Sequence, residues 1–334
     1  ETGLLKVAEV EQKKVTVKMG VQSRAEGISS VDWSPKWLME QMGHGEGEGL
    51  LSAKMNGVVQ LWGTADGKEI RRWEPVSSGH HNVCGLEVFC QNDNSSARLV
   101  TCCENGALAI RSIGDSDVEE DLTVPGPVSR MRLGPSKRRL AFGGRENDLQ
   151  VYDIEKKQVE WKARNVAHNN LNLRLPVWVT DLRFTQEDDD RKIAVCTAYG
   201  QVRLYDVRAQ RRPVIDAAVT EKSEQLRLDD GTRLTCMALA PDRNWVAVGD
   251  AHGGVRKVDF RTGKLFGKFR EISGSVRGID FHPTLSRIAV ASLDRFVRVY
   301  DIRSMKLLSK IYAKQRLTGV LFAPDGPAEP AAAA

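Results

Sequence analysis

The sequence lacks the signatures of membrane-spanning proteins and of the common enzyme classes. No apolar run approaches the roughly 20 residues needed to cross a bilayer, so we predict no membrane-spanning segment and no membrane partner. The chain contains no G-x-S-x-G nucleophile motif, no H-E-x-x-H zinc motif and no Gly-Lys-Ser/Thr phosphate loop. We therefore expect no catalytic residues, no metal site and no cofactor, and we predict that the protein is not an enzyme.

Cysteines and aromatic residues are scarce. The six cysteines show no C-x-x-C spacing and most fall within predicted strands, which favours buried reduced thiols over metal ligands. Aromatic residues make up 6% of the chain, which leaves little material for stacking on nucleic-acid bases. The net charge is +5, a surplus typical of proteins that work near polyanions, although basic residues in solvated turns produce the same surplus.

The chain does contain a recurring phrase, an alternating run that ends in Val-Tyr-Asp or a variant of it. The copies recur at intervals of about 50 residues, a spacing typical of propeller blades. We expect the aspartates to make the same turn hydrogen bond in each unit rather than to act as acids or bases. The aspartate, or the residue that replaces it, stands at Glu9, Gly63, Ser112, Asp153, Asp206, Asp259 and Asp301.

A second phrase opens each unit and often ends at proline. Further strands follow it, such as Arg139–Gly144 and Lys306–Ile311, and four antiparallel strands per unit predict a propeller blade. Asn56-Gly57 and Asn105-Gly106 predict two-residue hairpin turns with positive φ at both positions. The seven copies of the opening phrase are Ile28–Pro35, Val83–Cys90, Val128–Pro135, Val179–Gln186, Leu234–Pro241, Val276–Pro283 and Leu317–Pro324.

The two ends of the chain each hold part of a unit. Gly3 to Val10 is a strand of the aspartate type, and Thr318 to Phe322 is a strand of the opening type. We predict that the two pair in one sheet, whose second strand lies upstream of Glu1, because closure removes exposed sheet edges. The predicted fold is all-β, a seven-bladed β-propeller whose seventh blade is closed by N- and C-terminal strands. It is a single domain over residues 1–325, followed by a disordered tail over residues 326–334.

In such a ring, function is expected in the loops at the two rims. One predicted rim carries the long connection Ala163 to Val177, which mixes cations, amides and an aromatic residue, the composition of an interface hot spot. The alternative is that Leu171, Leu173 and Leu175 point inward and only attach this loop. The predicted partner-binding residues are Arg145, Asn147, Arg164, Asn165, Arg174, Trp178, Tyr199, Arg277 and Arg295.

The opposite predicted rim carries a basic stripe. Its side chains are candidates for contact with RNA phosphates, and contact with the RNA backbone is favoured over reading of bases because aromatic residues are few. The candidate phosphate contacts are Lys137, Arg138, Arg139, Arg211 and Arg212.

Several segments together carry a family resemblance, and the most specific runs from Ala163 to Trp178. Others are Glu1 to Lys6, Gly143 to Asn147, Gln201 to Asp206 and Gly274 to Gly278. With these segments the sequence resembles the nucleolar large-subunit ribosome assembly factors of the WD repeat-containing protein 74 family, which are WD-repeat propellers.

The resemblance implies a non-enzymatic factor of the nucleus and nucleolus that docks protein partners on the pre-60S particle during large-subunit assembly and rRNA processing. It further implies release by a nuclear AAA-type ATPase of the valosin-containing-like kind. The expected partners are pre-60S assembly-factor proteins, this ATPase and the rRNA backbone, and we expect a monomer outside the particle.

Two alternatives remain open from the sequence. A general WD-repeat adaptor, either a ubiquitin-ligase substrate receptor or a chromatin reader, requires a linker-binding motif or an aromatic cage at the mouth of the channel. A propeller hydrolase requires a metal or acid cluster in the central channel.

Overall fold

The computed structural model describes residues 3–23, 26–43, 48–64, 66–75, 82–90, 97–113, 118–168, 171–219 and 232–324. The predicted tail over residues 326–334 lies outside them. The described residues form 26 strands and one short helix, and none of their helices is long and apolar enough to span a bilayer.

The strands, in chain order, are β1 Leu5–Glu9, β2 Lys14–Met19, β3 Ile28–Ser34, β4 Gly49–Lys54, β5 Val59–Gly63, β6 Glu69–Trp73, β7 Val83–Phe89, β8 Arg98–Cys103, β9 Ala107–Ser112, β10 Val118–Thr123, β11 Arg130–Leu133, β12 Arg139–Gly144, β13 Asn147–Asp153, β14 Gln158–Lys162, β15 Val179–Phe184, β16 Lys192–Thr197, β17 Gln201–Asp206, β18 Ile215–Ala218, β19 Leu234–Leu239, β20 Trp245–Asp250, β21 Val255–Asp259, β22 Leu265–Phe269, β23 Val276–Phe281, β24 Arg287–Ser292, β25 Phe296–Asp301 and β26 Leu307–Tyr312. The helix α1, Lys36–Gln41, lies between β3 and β4 and was not predicted.

Six sheets share one design, four antiparallel strands paired in chain order, and these are six propeller blades. The first strand of each blade packs beside the first strand of the next, from β3 through β7, β11, β15 and β19 to β23. These six inner strands therefore line the centre of the ring. The core lies between neighbouring blades, where Val151 of one blade packs in the same cluster as Leu182 and Val195 of the next.

The aspartates of the recurring phrase have the turn role predicted for them. The Asp153 carboxylate accepts the backbone N–H of Lys156 at 2.9 Å, and that of Asp206 accepts the N–H of Arg208 at 3.0 Å. Asp301 accepts the N–H of Ser304 in the same way. The predicted turn hydrogen bond is confirmed at these three positions.

The Asn-Gly turns form, but with different backbone angles from those predicted. Only the glycines have positive φ, +89° at Gly57 and +94° at Gly106. The asparagines keep negative φ because their side chains work locally: the Asn56 Oδ1 accepts the N–H of Val58, and the Asn105 Oδ1 accepts that of Ala107.

The structure has six four-stranded blades, so the prediction of seven is wrong. The interval between the first and last blades holds the two-stranded sheet of β1 and β2, together with the segment Leu317 to Ala323. That segment is not a strand. Residues of the segment and of β1 line a cavity of about 560 Å³, and Leu321 packs against the apolar cluster that contains Leu5. None of the described strands pairs with the segment, so it forms no hydrogen-bonded ladder.

Side chains hold this last segment in place instead. The backbone N–H of Phe322 donates to the Asp280 carboxylate of β23 at 2.6 Å, and its carbonyl accepts the Trp33 indole N–H of β3 at 2.6 Å. One residue therefore connects the inner strands of the last and first blades. On the outer side, the Ser309 hydroxyl of β26 donates to the carbonyl of Val10 at 3.2 Å, which fixes the β1–β2 sheet.

A buried carboxylate ties three consecutive inner strands together. Asp181 of β15 is 1% exposed, accepts the Arg130 Nε–H of β11 at 3.1 Å and accepts the Met237 N–H of β19 at 2.9 Å. Burial alone raises the pKa of Asp181, but the nearby guanidinium groups and the Met237 amide outweigh it and hold the pKa below its usual value.

We expect Asp181→Ala to lower the free energy of unfolding by about 4 kcal/mol, because it leaves the Arg130 charge and the Met237 amide without their partner. The control is Glu187→Ala, which breaks an exposed ion pair with Arg243 and should change stability by less than about 1 kcal/mol. Urea unfolding followed by fluorescence measures both variants. Equal effects in the two would contradict the role given to Asp181.

Asp280 titrates differently from Asp181. Burial raises the pKa of Asp280 to about 6, against a usual value of 3.8, and neither the Phe322 amide nor Arg183 lowers it enough to compensate. Burial also raises the pKa of Glu87, which faces Arg132, Arg183 and Asp32. The folded protein thus holds these protons more tightly than the unfolded chain does. For Asp280 the stabilising effect is complete below pH 3.8 and disappears as the pH rises through 6, and for Glu87 it disappears as the pH rises through about 7.

We expect the urea midpoint to fall as the pH rises from about 5 to about 8, with Asp280 contributing about 1.4 kcal/mol of the change. Asp280→Asn keeps an acceptor for the Phe322 N–H but cannot ionise, so the slope should become shallower. An identical slope in the variant would show that Asp280 does not titrate in this range.

Candidate partner-binding rim

An aromatic ring stacked with two guanidinium groups stands at one end of the channel. Trp178 precedes β15, and its backbone bridges to Arg145 in the hairpin between β12 and β13. The guanidinium carbon of Arg145 lies 5.2 Å from the centre of the Trp178 ring, and that of Arg233 lies 4.1 Å from it. Gly144 permits this hairpin to pack closely, because a Cβ there would clash with the carbonyl of Pro127.

Arg277, on the blade after that of Arg233, adds a third guanidinium group near Trp178. Arg233 immediately precedes β19 and Arg277 is the second residue of β23, so both stand at the same end of the inner strands as Trp178. Partial burial, together with the neighbouring Arg277 charge, lowers the pKa of Arg233. We call Arg145, Arg233 and Arg277, with Trp178, the arginine cluster.

The family-specific connection reaches this cluster from outside. Its ends are anchored, because the Asn165 amide donates to the carbonyl of Leu175 at 2.6 Å and the Glu146 N–H donates to the carbonyl of Val177 at 2.7 Å. The Glu146 carboxylate accepts the Val177 N–H at 3.3 Å and pairs with Arg174 at 3.3 Å. Leu175 is 5% exposed, whereas the side chains of Leu171 and Leu173 are 78% and 53% exposed. The alternative prediction, that all three leucines point inward and only attach the loop, therefore holds for Leu175 alone.

Two further predicted residues lie on exposed turns. Tyr199 is 39% exposed in the hairpin between β16 and β17. Arg295 is exposed in the hairpin between β24 and β25 and has a φ of +74°. Neither has a recorded contact with the arginine cluster among the described residues, so they border it rather than belong to it.

Asn147 has an internal role that conflicts with its prediction as a partner-binding residue. It is 6% exposed, and its amide donates to the carbonyls of Pro125 at 2.7 Å and Pro127 at 3.1 Å. Its Oδ1 accepts the Gln150 amide at 2.6 Å. Because these contacts use both ends of the amide, we remove Asn147 from the candidate site.

Arg164 lies with the predicted phosphate contacts rather than with the arginine cluster. Its backbone N–H donates to the carbonyl of Arg211 at 2.8 Å, and the Arg211 Nε–H donates to the carbonyl of Lys162 at 2.7 Å. The two sets of residues that the sequence assigned to opposite rims therefore meet at the outer edge of the ring.

The basic stripe is partly neutralised by its own neighbours. Arg138 pairs with Asp153 at 3.1 Å and with Glu155 at 3.2 Å, and Arg139 pairs with Glu160 at 2.9 Å. Lys137 and Arg212 are exposed and have no ion pair with a described residue. Only part of the predicted stripe is therefore free to attract phosphate.

Within the described ranges, no three His, Cys, Asp or Glu side chains are grouped closely enough to hold a metal ion. The six cysteines are free thiols, and four of them are buried.

Comparison of the sequence with known proteins shows which family the chain belongs to. The WD domain, G-beta repeat family matches residues 263–301, the last part of the ring. The chain is 32% identical to WD repeat-containing protein 74 of Bos taurus, over 99% of this chain and 82% of that protein. This chain belongs to the WD repeat-containing protein 74 family.

More distant relatives extend the family to fungi. Ribosome biogenesis protein NSA1 of Meyerozyma guilliermondii is 28% identical over 76% of this chain and 68% of its own length. Ribosome biogenesis protein nsa1 of Schizosaccharomyces pombe is 26% identical over 84% of this chain and 76% of its own length.

Sequence reasoning missed Arg233. The signal was its position directly before an opening strand, which Trp178 shares in the preceding blade. Aligning the residue before each opening phrase would have brought both to the same end of the channel.

We expect Asn147→Ala to lower the free energy of unfolding by about 2 kcal/mol, because the buried Gln150 amide loses its acceptor and the carbonyls of Pro125 and Pro127 lose their donor. Arg277→Ala, an exposed change in the same predicted set, should stay within about 0.5 kcal/mol of the parent protein. Chemical denaturation of the two variants decides the point. A stable Asn147→Ala protein would return Asn147 to the list of residues available to a partner.

Proposed function

We propose that this protein is a non-enzymatic ribosome biogenesis factor that docks protein partners on the large-subunit precursor through the rim carrying the connection 163–177. Membership of a family that includes proteins named for ribosome biogenesis supports the process. The exposure of Leu171 and Leu173 supports the surface, because these side chains lie within the segment that carries the strongest family resemblance.

Physical reasoning favours this loop as a binding element. Exposed leucines gain free energy when a partner removes them from water, by about 2 kcal/mol each for full burial. The loop is already held near both ends, by Asn165 bonded to Leu175 and by Arg174 paired with Glu146. Such anchoring reduces the conformational entropy that binding has to remove.

Several finer features belong to the same proposal. Lys137, Arg211 and Arg212 are the residues of the basic stripe best placed to contact rRNA phosphates, since Arg138 and Arg139 are engaged by carboxylates. Action in the nucleus and nucleolus, and release by an AAA-type ATPase of the valosin-containing-like kind, follow from the family resemblance and remain proposals.

The adaptor alternative receives no support from the channel mouth. A reader of methylated lysine needs an aromatic cage open to a cation. Here Trp178 is already overlaid by the guanidinium groups of Arg145 and Arg233. A like-charged ligand would be repelled from this position.

We expect the double variant Leu171→Asp and Leu173→Asp to reduce co-sedimentation with large-subunit precursors by about tenfold, equivalent to about 1.4 kcal/mol of lost binding free energy. The matched control is Leu308→Asp, which changes an exposed leucine of the outer strand β26. Both proteins should show the parent urea midpoint. Unchanged co-sedimentation of a folded double variant would refute docking through this loop.

A further inference from the structure

Many arginines of this protein are neutralised by a neighbouring acid. Ten of them, from Arg130 to Arg298, lie within ion-pair distance of a carboxylate, among them the buried Arg203 and Arg298. Arg145, Arg233 and Arg277 have no carboxylate at that distance among the described residues. The closest acid in the same hairpin, Glu146, is engaged by Arg174.

Leaving three like charges together is unfavourable unless something else compensates them. The fold holds Arg145 by its backbone bridge to Trp178 and stacks Arg233 on the same ring at 4.1 Å. Stacking on a ring face orients a guanidinium group but leaves its N–H donors, which lie in the guanidinium plane, free to bind. The arginine cluster is therefore an ordered set of donors without an acceptor in the described chain.

We propose that the arginine cluster binds the carboxylates of a short acidic peptide segment in the protein partner. This inference rests on the proposed docking function and names the chemistry that the partner presents. Carboxylates match the two parallel N–H donors of a guanidinium group, and bidentate pairs of this kind are the strong form of the interaction. Two or three closely spaced Asp or Glu residues would satisfy the cluster.

The geometry favours an acidic peptide over RNA. Sequence-tolerant binding of single-stranded RNA relies on aromatic faces on which successive bases stack. Trp178 is the aromatic side chain in the cluster, and two guanidinium groups lie over its ring. The charges also converge from blades three, five and six on the mouth of the channel, whereas a backbone track would need charges spread along a groove.

The test is fluorescence anisotropy with the whole chain at about 50 mM salt, where electrostatic binding is strong. The probes are a labelled octapeptide of alternating Gly and Glu, the same peptide with Gln for Glu, and a labelled ten-nucleotide uridine RNA. We expect the Glu peptide to bind and the Gln peptide not to bind.

The variants distinguish binding at the arginine cluster from nonspecific attraction by the positive charge of the protein. Arg233→Glu with Arg277→Glu should weaken binding of the Glu peptide by about tenfold or more. Arg261→Glu with Arg303→Glu makes the same change of charge at exposed turns of the opposite rim and should leave binding unchanged. Arg233→Lys should weaken it partly, because an ammonium group retains the charge but not the bidentate geometry.

Three results would overturn the inference: no binding of the Glu peptide, an equal loss in both double variants, or tighter binding of the RNA that is lost in Arg233→Glu with Arg277→Glu. Co-sedimentation of the variant with Leu171→Asp and Leu173→Asp distinguishes this failure from that of the proposed function. If the Leu171 and Leu173 changes abolish co-sedimentation while the Glu peptide does not bind, docking stands and the acidic partner is wrong.

Discussion

The ring depends on a series of polar contacts between its inner strands. Glu87 pairs with Arg132, Arg130 pairs with Asp181, Asp181 bonds to Met237, and Phe322 connects the last inner strand to the first. Apolar packing between blades supplies most of the burial but is non-directional, so it tolerates small sliding movements. Buried charge pairs and directed hydrogen bonds do not, so they fix the inner strands that they join relative to one another.

The polar contacts between inner strands also position the residues that the rim offers to a partner. Trp178, Arg233 and Arg277 stand at or beside the first residues of three inner strands, so their relative positions follow from those contacts. The loops at this rim vary in length, yet the residues closest to the strands are held rigidly. A docking surface built this way combines an ordered charged centre with an apolar loop at its edge.

The sequence predicted the parts of the fold that depend on local pattern. Strands such as Arg139–Gly144 and turn aspartates such as Asp153 appear where alternation and turn chemistry placed them. The seventh blade failed because alternation in Leu317 to Pro324 describes one segment, whereas a ladder requires a neighbouring strand. Asn147 failed for a related reason, since its partners Pro125 and Pro127 come from another loop and are invisible to local reasoning.

The segment from Leu317 to Ala323 forms no hydrogen-bonded ladder, and we call the junction that it makes between the last and first blades the seam of the ring. Elsewhere, separating two blades means exposing a continuous apolar layer, but here two side-chain hydrogen bonds flank a cavity of about 560 Å³. Local opening begins where few contacts must break together. Breathing motions of the propeller should therefore start at this seam. They should leave the blades that carry Arg145 and Trp178 at rest, whereas Arg277 shares β23 with Asp280 and so lies beside the seam.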